Sequence, residues 1–219
     1  MSRRPFGWVV GSFASSMLAL SLSAHGAAFS NGSFETGPSV TPGTFITLNA
    51  VDTSITGWTV TSGSIDYIDT GYWQAEDGTL SLDMSGNGPG RIEQTFDTTP
   101  GHRYTVGFYL AGNTNCGSTI KDLDVGATGN PTGHYSFDVT GHSYPSMGWQ
   151  FETYSFVATG ASTTLYFQSQ ESSSCGPALD NVSLTVETPV PALSPAMGGV
   201  LALLLAVLGW MALGRRAAA

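Results

Sequence analysis

The chain has 219 residues, with 7 Lys and Arg against 16 Asp and Glu and a formal net charge of −9. All 16 acidic residues fall between Glu35 and Glu187, where only Arg91, Arg103 and Lys121 are basic, so this middle segment carries −13. That balance excludes nucleic acid as a partner, because phosphates are met by clustered Lys and Arg.

In chain order, the first feature is an address. Arg3 and Arg4 precede an apolar stretch from Phe6 to Leu22, and Ala24-His25-Gly26-Ala27-Ala28 offers small residues for cleavage. This is the layout of a secretory signal peptide over residues 1–26. The alternative is an uncleaved N-terminal anchor. About 160 residues then remain before the C-terminal tail, the size of one domain.

Within residues 27–188 helical periodicity is nearly absent and period-two alternation dominates. Leu80, Leu82 and Met84 alternate with Ser81 and Asp83; Tyr104, Val106 and Phe108 with Thr105 and Gly107. Tyr135, Phe137 and Val139, then Leu165 and Phe167, then Val182, Leu184 and Val186 repeat the pattern. Period two places one face inward and one outward. Clusters of Gly, Pro, Asn and Ser at 85–90, 98–101, 126–133 and 160–162 punctuate the runs. About ten strands are predicted, giving an all-β, two-sheet sandwich of jelly-roll type.

Cys116 and Cys175 are the two cysteines, both in this segment. In an oxidising compartment they predict one disulfide, the alternative being two free thiols. It would close a loop of about 60 residues and add about 3–4 kcal/mol by the chain-entropy estimate. Residues 189–195, with Pro189, Pro191 and Pro195, read as a stiff linker. Ala196–Leu213 is an unbroken apolar run of 18 residues followed by Arg215 and Arg216. As a helix it spans about 27 Å, enough to reach across a bilayer core. With the arginines on the cytoplasmic side, the domain lies outside the cell.

Catalytic signatures are missing: there is no Gly-x-Ser-x-Gly elbow, no His-Glu-x-x-His helix and no phosphate-binding glycine loop. His102, His134 and His142 are scattered in turns and strand starts. Carboxylate pairs occur at Asp66 with Asp69, Glu76 with Asp77, and Asp122 with Asp124. A glycosidase needs two carboxylates facing each other across a cleft, so Asp66 and Asp69 are the candidates. Asp122 and Asp124 share one face of a strand, read as the wet one. Rings that sugars can stack on are sought among Tyr72, Trp73 and Tyr144, which sit among Gly, Pro and Ser. Trp58 and Trp149 read as core. If that stretch is extended, its neighbours face opposite ways and one of Tyr72 and Trp73 should face out. The sequons at Asn31 and Asn181 read as chance or structure.

An ordered series of motifs runs through the domain. Asn31-Gly32-Ser33-Phe34-Glu35 opens it, followed by Ile55-Thr56-Gly57-Trp58, Gly63-Ser64-Ile65-Asp66-Tyr67-Ile68 and Asp77-Gly78-Thr79-Leu80-Ser81-Leu82-Asp83. Gly90-Arg91-Ile92-Glu93-Gln94-Thr95-Phe96 and Tyr109-Leu110-Ala111-Gly112-Asn113 come next, and Cys175-Gly176-Pro177-Ala178-Leu179-Asp180-Asn181 leads the closing stretch. The series resembles the bacterial choice-of-anchor C proteins and is similar to the plant cell-wall family called domain of unknown function 642. The resemblance implies a galactose-binding-like β-sandwich with a cell-surface or wall-associated role and polysaccharide as ligand. It also implies a structural Ca2+ held by Glu35 and Asp180 with oxygens near Asn31; the alternative is that these side chains satisfy backbone N–H groups in turns. The tail resembles three-part bacterial sorting signals, with Val190-Pro191-Ala192-Leu193-Ser194-Pro195 departing from the Pro-Glu-Pro form toward the Ile-Pro-Thr-Leu form. This implies transient membrane anchoring and a sorting or processing enzyme as partner.

The expectation is therefore an exported, cell-surface or extracellular-matrix protein with a non-catalytic, polysaccharide-binding domain. The alternatives are a structural matrix protein that binds no sugar, and a glycoside hydrolase working through Asp66 and Asp69.

Overall fold

A computed structural model describes residues 27–187. The signal-peptide, linker and tail readings (residues 1–26, 189–195 and 196–219) fall outside these residues. Among the described residues no helix is long and apolar enough to cross a membrane.

Eleven strands form, one more than the turn signals suggest: β1 (Phe45–Asn49), β2 (Thr59–Ser62), β3 (Ser64–Asp69), β4 (Leu80–Asp83), β5 (Arg91–Asp97), β6 (Arg103–Gly112), β7 (Ile120–Ala127), β8 (Gly133–Asp138), β9 (Gln150–Val157), β10 (Ser162–Ser169) and β11 (Pro177–Glu187). They pair into a six-stranded sheet, β1-β3-β4-β11-β6-β9, and a five-stranded sheet, β2-β5-β10-β7-β8. Every ladder is antiparallel.

The alternation read in the sequence decides which side chains meet between the sheets. Val106, Phe108 and Leu110 of β6 face inward with no exposed surface, and Leu165 and Phe167 of β10 meet them from the other sheet. Phe108 lies edge-on to Phe167 with ring centroids 5.3 Å apart. Burying such rings contributes about 2–3 kcal/mol each, which offsets the cost of ordering so many strands.

The first described segment is sewn onto this core. Ser30 N–H donates to Gln94 Oε1 at 2.8 Å, and the Gln94 amide returns a bond to the Ser30 carbonyl at 2.9 Å. Trp58, buried as expected, donates its indole N–H to the Asn31 carbonyl at 2.9 Å. Tyr67 donates its hydroxyl to the Phe34 carbonyl. Cys116 and Cys175 form the expected disulfide, with Cα atoms 5.5 Å apart, joining the loop after β6 to the loop before β11.

The two outer faces differ. On the five-stranded sheet the outward residues are polar and pair among themselves. Asp122 accepts from Ser136 at 2.6 Å, and Asp124 contacts His134 at 2.6 Å. The Arg91 guanidinium lies 3.7 Å from the Tyr166 ring centre. On the six-stranded sheet two loops, residues 70–77 and 143–149, fold back over the strands. They are tied together by Gln74: its N–H donates to the Tyr144 carbonyl at 2.8 Å, and its carbonyl accepts the Trp149 indole at 3.0 Å.

Candidate functional site

Register places a row of side chains side by side on the outer face of the six-stranded sheet. Thr47 of β1 lies opposite Asp66 of β3, Asp66 opposite Asp83 of β4, and Asp83 opposite Ala178 of β11. Above this row opens a cleft of about 290 Å³. Phe45 and Tyr72 form an aromatic wall, their ring centroids 5.2 Å apart. Asn87, Asn113 and Asp66 bring polar groups, and the Cys116–Cys175 disulfide closes the far side. Gly86 lets the turn after β4 come this close: a Cβ there would stand 3.0 Å from an Asp66 carboxylate oxygen and from Ser64 Oγ.

The floor is a buried polar network. Asp83 is fully buried and accepts from Ser85 N–H and Gly176 N–H, both at 2.9 Å, and from the Asn113 amide at 2.8 Å. Asn113 in turn accepts the Tyr144 hydroxyl at 2.9 Å. Burial pushes the Asp83 carboxyl up to about 7, against the pull of its donors, and neighbouring Asp66 adds to the rise. Asp66 is also raised by burial, with the Thr47 hydroxyl donating at 2.6 Å in the opposite sense. Beneath the disulfide, Lys121 is wholly buried and donates to the carbonyls of both Cys116 and Cys175 at 2.7 Å. Burial lowers its pKa, while Glu171 and Asp83 hold it up.

The structure separates the residues singled out in the sequence. Asp66 and Tyr72 line the cleft, and Tyr144 packs behind on Tyr72, ring centroids 5.2 Å apart. Asp69 does not join them. Three positions from Asp66 on an extended strand, it projects to the opposite side and accepts from Gly43 N–H at 2.6 Å and Gly71 N–H at 2.9 Å. Asp66 and Asp69 therefore do not face each other. Trp73 is 1% exposed and donates its indole N–H to Ser81 at 2.7 Å, so Tyr72 is the outward ring of the pair. Trp149, read as core, is half-buried at the rim of a second depression. Sequence reasoning missed Asp83, Asn113, Phe45 and Lys121. The alternation at Leu80–Asp83 gave the one usable signal, since it turns Asp83 away from Leu82 and the core.

The expected metal residues form a clasp. Glu35 accepts from Thr79 N–H at 2.9 Å, Leu80 N–H at 2.8 Å and the Thr79 hydroxyl at 2.8 Å. Asp180 accepts from Glu76, Asp77 and Asn181 N–H at 2.8, 3.1 and 2.6 Å. Residues 76–80 are thus gripped from both ends of the domain. Gly78, at φ 61°, supplies the left-handed turn between the two grips. The Asn31 side chain bridges Thr36 and Thr56, with its amide donating to both carbonyls at 2.9 Å. Calcium takes six to eight oxygens. Here the carboxylates meet amide donors instead, and among the described residues no three His, Cys, Asp or Glu side chains gather around a metal position. Both carboxylates thus take the role weighed as the alternative to calcium, accepting backbone N–H groups of a turn. The sequon asparagines are engaged within the fold: Asn31 holds backbone groups, and Asn181 donates its side-chain amide to the Glu76 carboxylate at 2.7 Å.

Fold and cleft together define an antiparallel two-sheet β-sandwich with a ligand-sized cleft on one sheet face. The chain belongs to the family described as Protein of unknown function (DUF642), matched over residues 27–185. It is 33% identical over 190 residues to halomucin of Haloquadratum walsbyi, a match covering 78% of this chain and 2% of that protein. The chain thus spans about 2% of the length of this curated relative. Among solved structures it is similar to TmCBM61 in complex with β-1,4-galactotriose, at 16% identity and TM-score 0.47, covering 74% of this chain and 99% of that one. It is also similar to the family 35 carbohydrate binding module from Clostridium thermocellum, at 13% identity and TM-score 0.43, covering 64% and 98%. Both are distant likenesses.

Two predictions follow from the buried carboxylates. Asp180→Ala strands three amide N–H groups and should cost about 2–4 kcal/mol, whereas melting of the native protein with and without a calcium chelator should coincide. A chelator-induced fall in Tm would restore an ion at Glu35 and Asp180. Asp83 and Asp180 are both raised to about 7 by burial, above the unfolded value near 3.9. The folded state therefore holds protons that the unfolded chain releases. The resulting stability is full below the unfolded pKa and is lost as pH rises through about 7. Tm should fall from pH 5 to pH 8, and Asp83→Asn should flatten the slope; a Tm that climbs over this range would contradict the assignment.

Proposed function

We propose that this protein is an exported, non-catalytic carbohydrate-binding module of the cell surface or extracellular matrix. The observation that carries the reading is the cleft. The Tyr72 and Phe45 rings stand beside the Asn87, Asn113 and Asp66 polar groups on one sheet face. A pyranose ring has an apolar face and hydroxyls around its edge. An aromatic wall meets the first, and amides and carboxylates, which donate and accept, meet the second.

The non-catalytic reading is supported by the carboxylates themselves. Asp69 turns away from Asp66, and Asp83 lies in the floor with its oxygens engaged by Ser85, Gly176 and Asn113. Neither stands across the cleft from Asp66, as acid and base flanking a glycosidic bond would.

Export is supported by the disulfide, which persists in oxidising compartments, by the signal-peptide pattern of residues 1–26 and by the apolar tail ending in Arg215 and Arg216. On this reading the protein is a choice-of-anchor C type member whose tail anchors it in the membrane until a processing enzyme removes it.

Titration of the purified protein against a polysaccharide panel tests the ligand. Tyr72→Ala should weaken the best binder about tenfold, the order expected when a stacking ring is removed, with the fold retained. Binding to no glycan would leave the structural matrix protein as the better account. For export, the intact mass of protein recovered from the cell surface should lack residues 1–26; a mass that retains them contradicts a cleaved signal peptide.

A further inference from the structure

The cleft does not end at Tyr72. Tyr72 also lines a second depression, shared with Trp73, Gln74 and Tyr144. Gln74 in turn lines a third, shared with Glu76, Tyr109 and Trp149. The second and third open among the 70–77 and 143–149 loops that lie over the six-stranded sheet, and consecutive depressions share one wall residue, Tyr72 and then Gln74. Beyond the third, on edge strand β9, the Phe151 ring is 57% exposed and leans on Tyr109 with centroids 5.2 Å apart. Its register partner across β6 is Tyr109 itself, so both rings stand on the outer face. Phe45 and Phe151 thus mark the two edges of the sheet, β1 and β9. Five strand spacings separate them, about 24 Å, the reach of several linked sugar rings.

Charge along this path is of one sign. Asp66 and Glu76 line it, and no Lys or Arg does. The three basic residues of the domain are committed elsewhere. Arg91 lies over Tyr166 on the other sheet, Arg103 is beside Glu187 at 3.9 Å, and the Lys121 ammonium is held by two carbonyls. A uronate or sulfated glycan would enter an anionic trough with no cation to pair with, an arrangement that costs binding.

Resting on the carbohydrate-binding reading, we infer that the outer face of the six-stranded sheet is one continuous trough. It has a second aromatic subsite at Tyr109, Trp149 and Phe151, and its ligand is an extended internal stretch of a neutral polysaccharide. Each aromatic station contributes a stacking contact, so a chain long enough to reach from Tyr72 to Phe151 gains over one that fills the first cleft alone.

The test is calorimetric titration of the whole protein with two neutral polymers, xyloglucan and β-1,4-galactan, their oligosaccharides of increasing length, and two anionic polymers, polygalacturonate and chondroitin sulfate. A neutral polymer should bind, and its oligosaccharides should tighten with length by about tenfold or more before levelling off. Phe151→Ala should abolish that gain while leaving the shortest binding oligosaccharide unaffected; Tyr72→Ala should weaken every length. Phe151 is exposed, so its removal spares the core, and Trp149→Phe gives an independent second variant with a ring retained. If a glycan binds but length has no effect, or Phe151→Ala changes nothing, the trough is overturned and the single-cleft reading stands. Equal or tighter binding of the anionic polymers overturns the neutral-ligand assignment. If no glycan of any kind binds, the carbohydrate-binding reading fails and the trough with it.

Discussion

The Asp83 carboxylate holds the site together. One oxygen takes the amides of Ser85 and Gly176, fastening the turn after β4 to the entry of β11. The other takes the Asn113 side chain, and through it the Tyr144 hydroxyl and the loop above the sheet. A buried acid is costly unless its lone pairs are satisfied. This one is satisfied only when three separate stretches of chain, around residues 83–85, 113 and 176, are in place. The cleft's shape is therefore a by-product of neutralising one side chain.

Lys121 repeats the logic beneath the disulfide. A buried ammonium must also find acceptors, and it finds them in the carbonyls of the two half-cystines. Covalent bond and charged hydrogen bonds then fix the same two loops. Such redundancy fixes one wall of the cleft in place, the preorganisation that costs a site little freedom when it is filled. The five-stranded sheet has no comparable investment. Its outer face holds charges in local pairs, Asp124 with His134 and Arg91 with Glu93.

Local rules made much of this fold legible. Tyr104, Val106 and Phe108 had to share a face because strands alternate, and they do. Tyr72 and Trp73 part as well, but in the turn after β3 rather than on a strand, where Ser81, a buried acceptor eight residues on, takes the Trp73 indole. Asp83 beside Asp66 was not legible, since it depends on the register between β3 and β4. Nor was Lys121, whose type argues for the surface and whose burial depends on carbonyls brought together by the disulfide. Glu35 and Asp180 serve one loop, residues 76–80, and the atoms they face there are amide hydrogens, which depends on where the fold brings that loop.

The place of β11 in the six-stranded sheet has one more consequence. The last strand of the domain is inserted between β4 and β6, and it brings Asp180 to the 76–80 loop and Cys175 to Cys116. Until residues 175–187 have left the ribosome, that sheet exists as two separate halves with a gap between them. The nascent domain is thus obliged to wait open. The delay is built into the topology, and the sheet closes only once the final strand arrives.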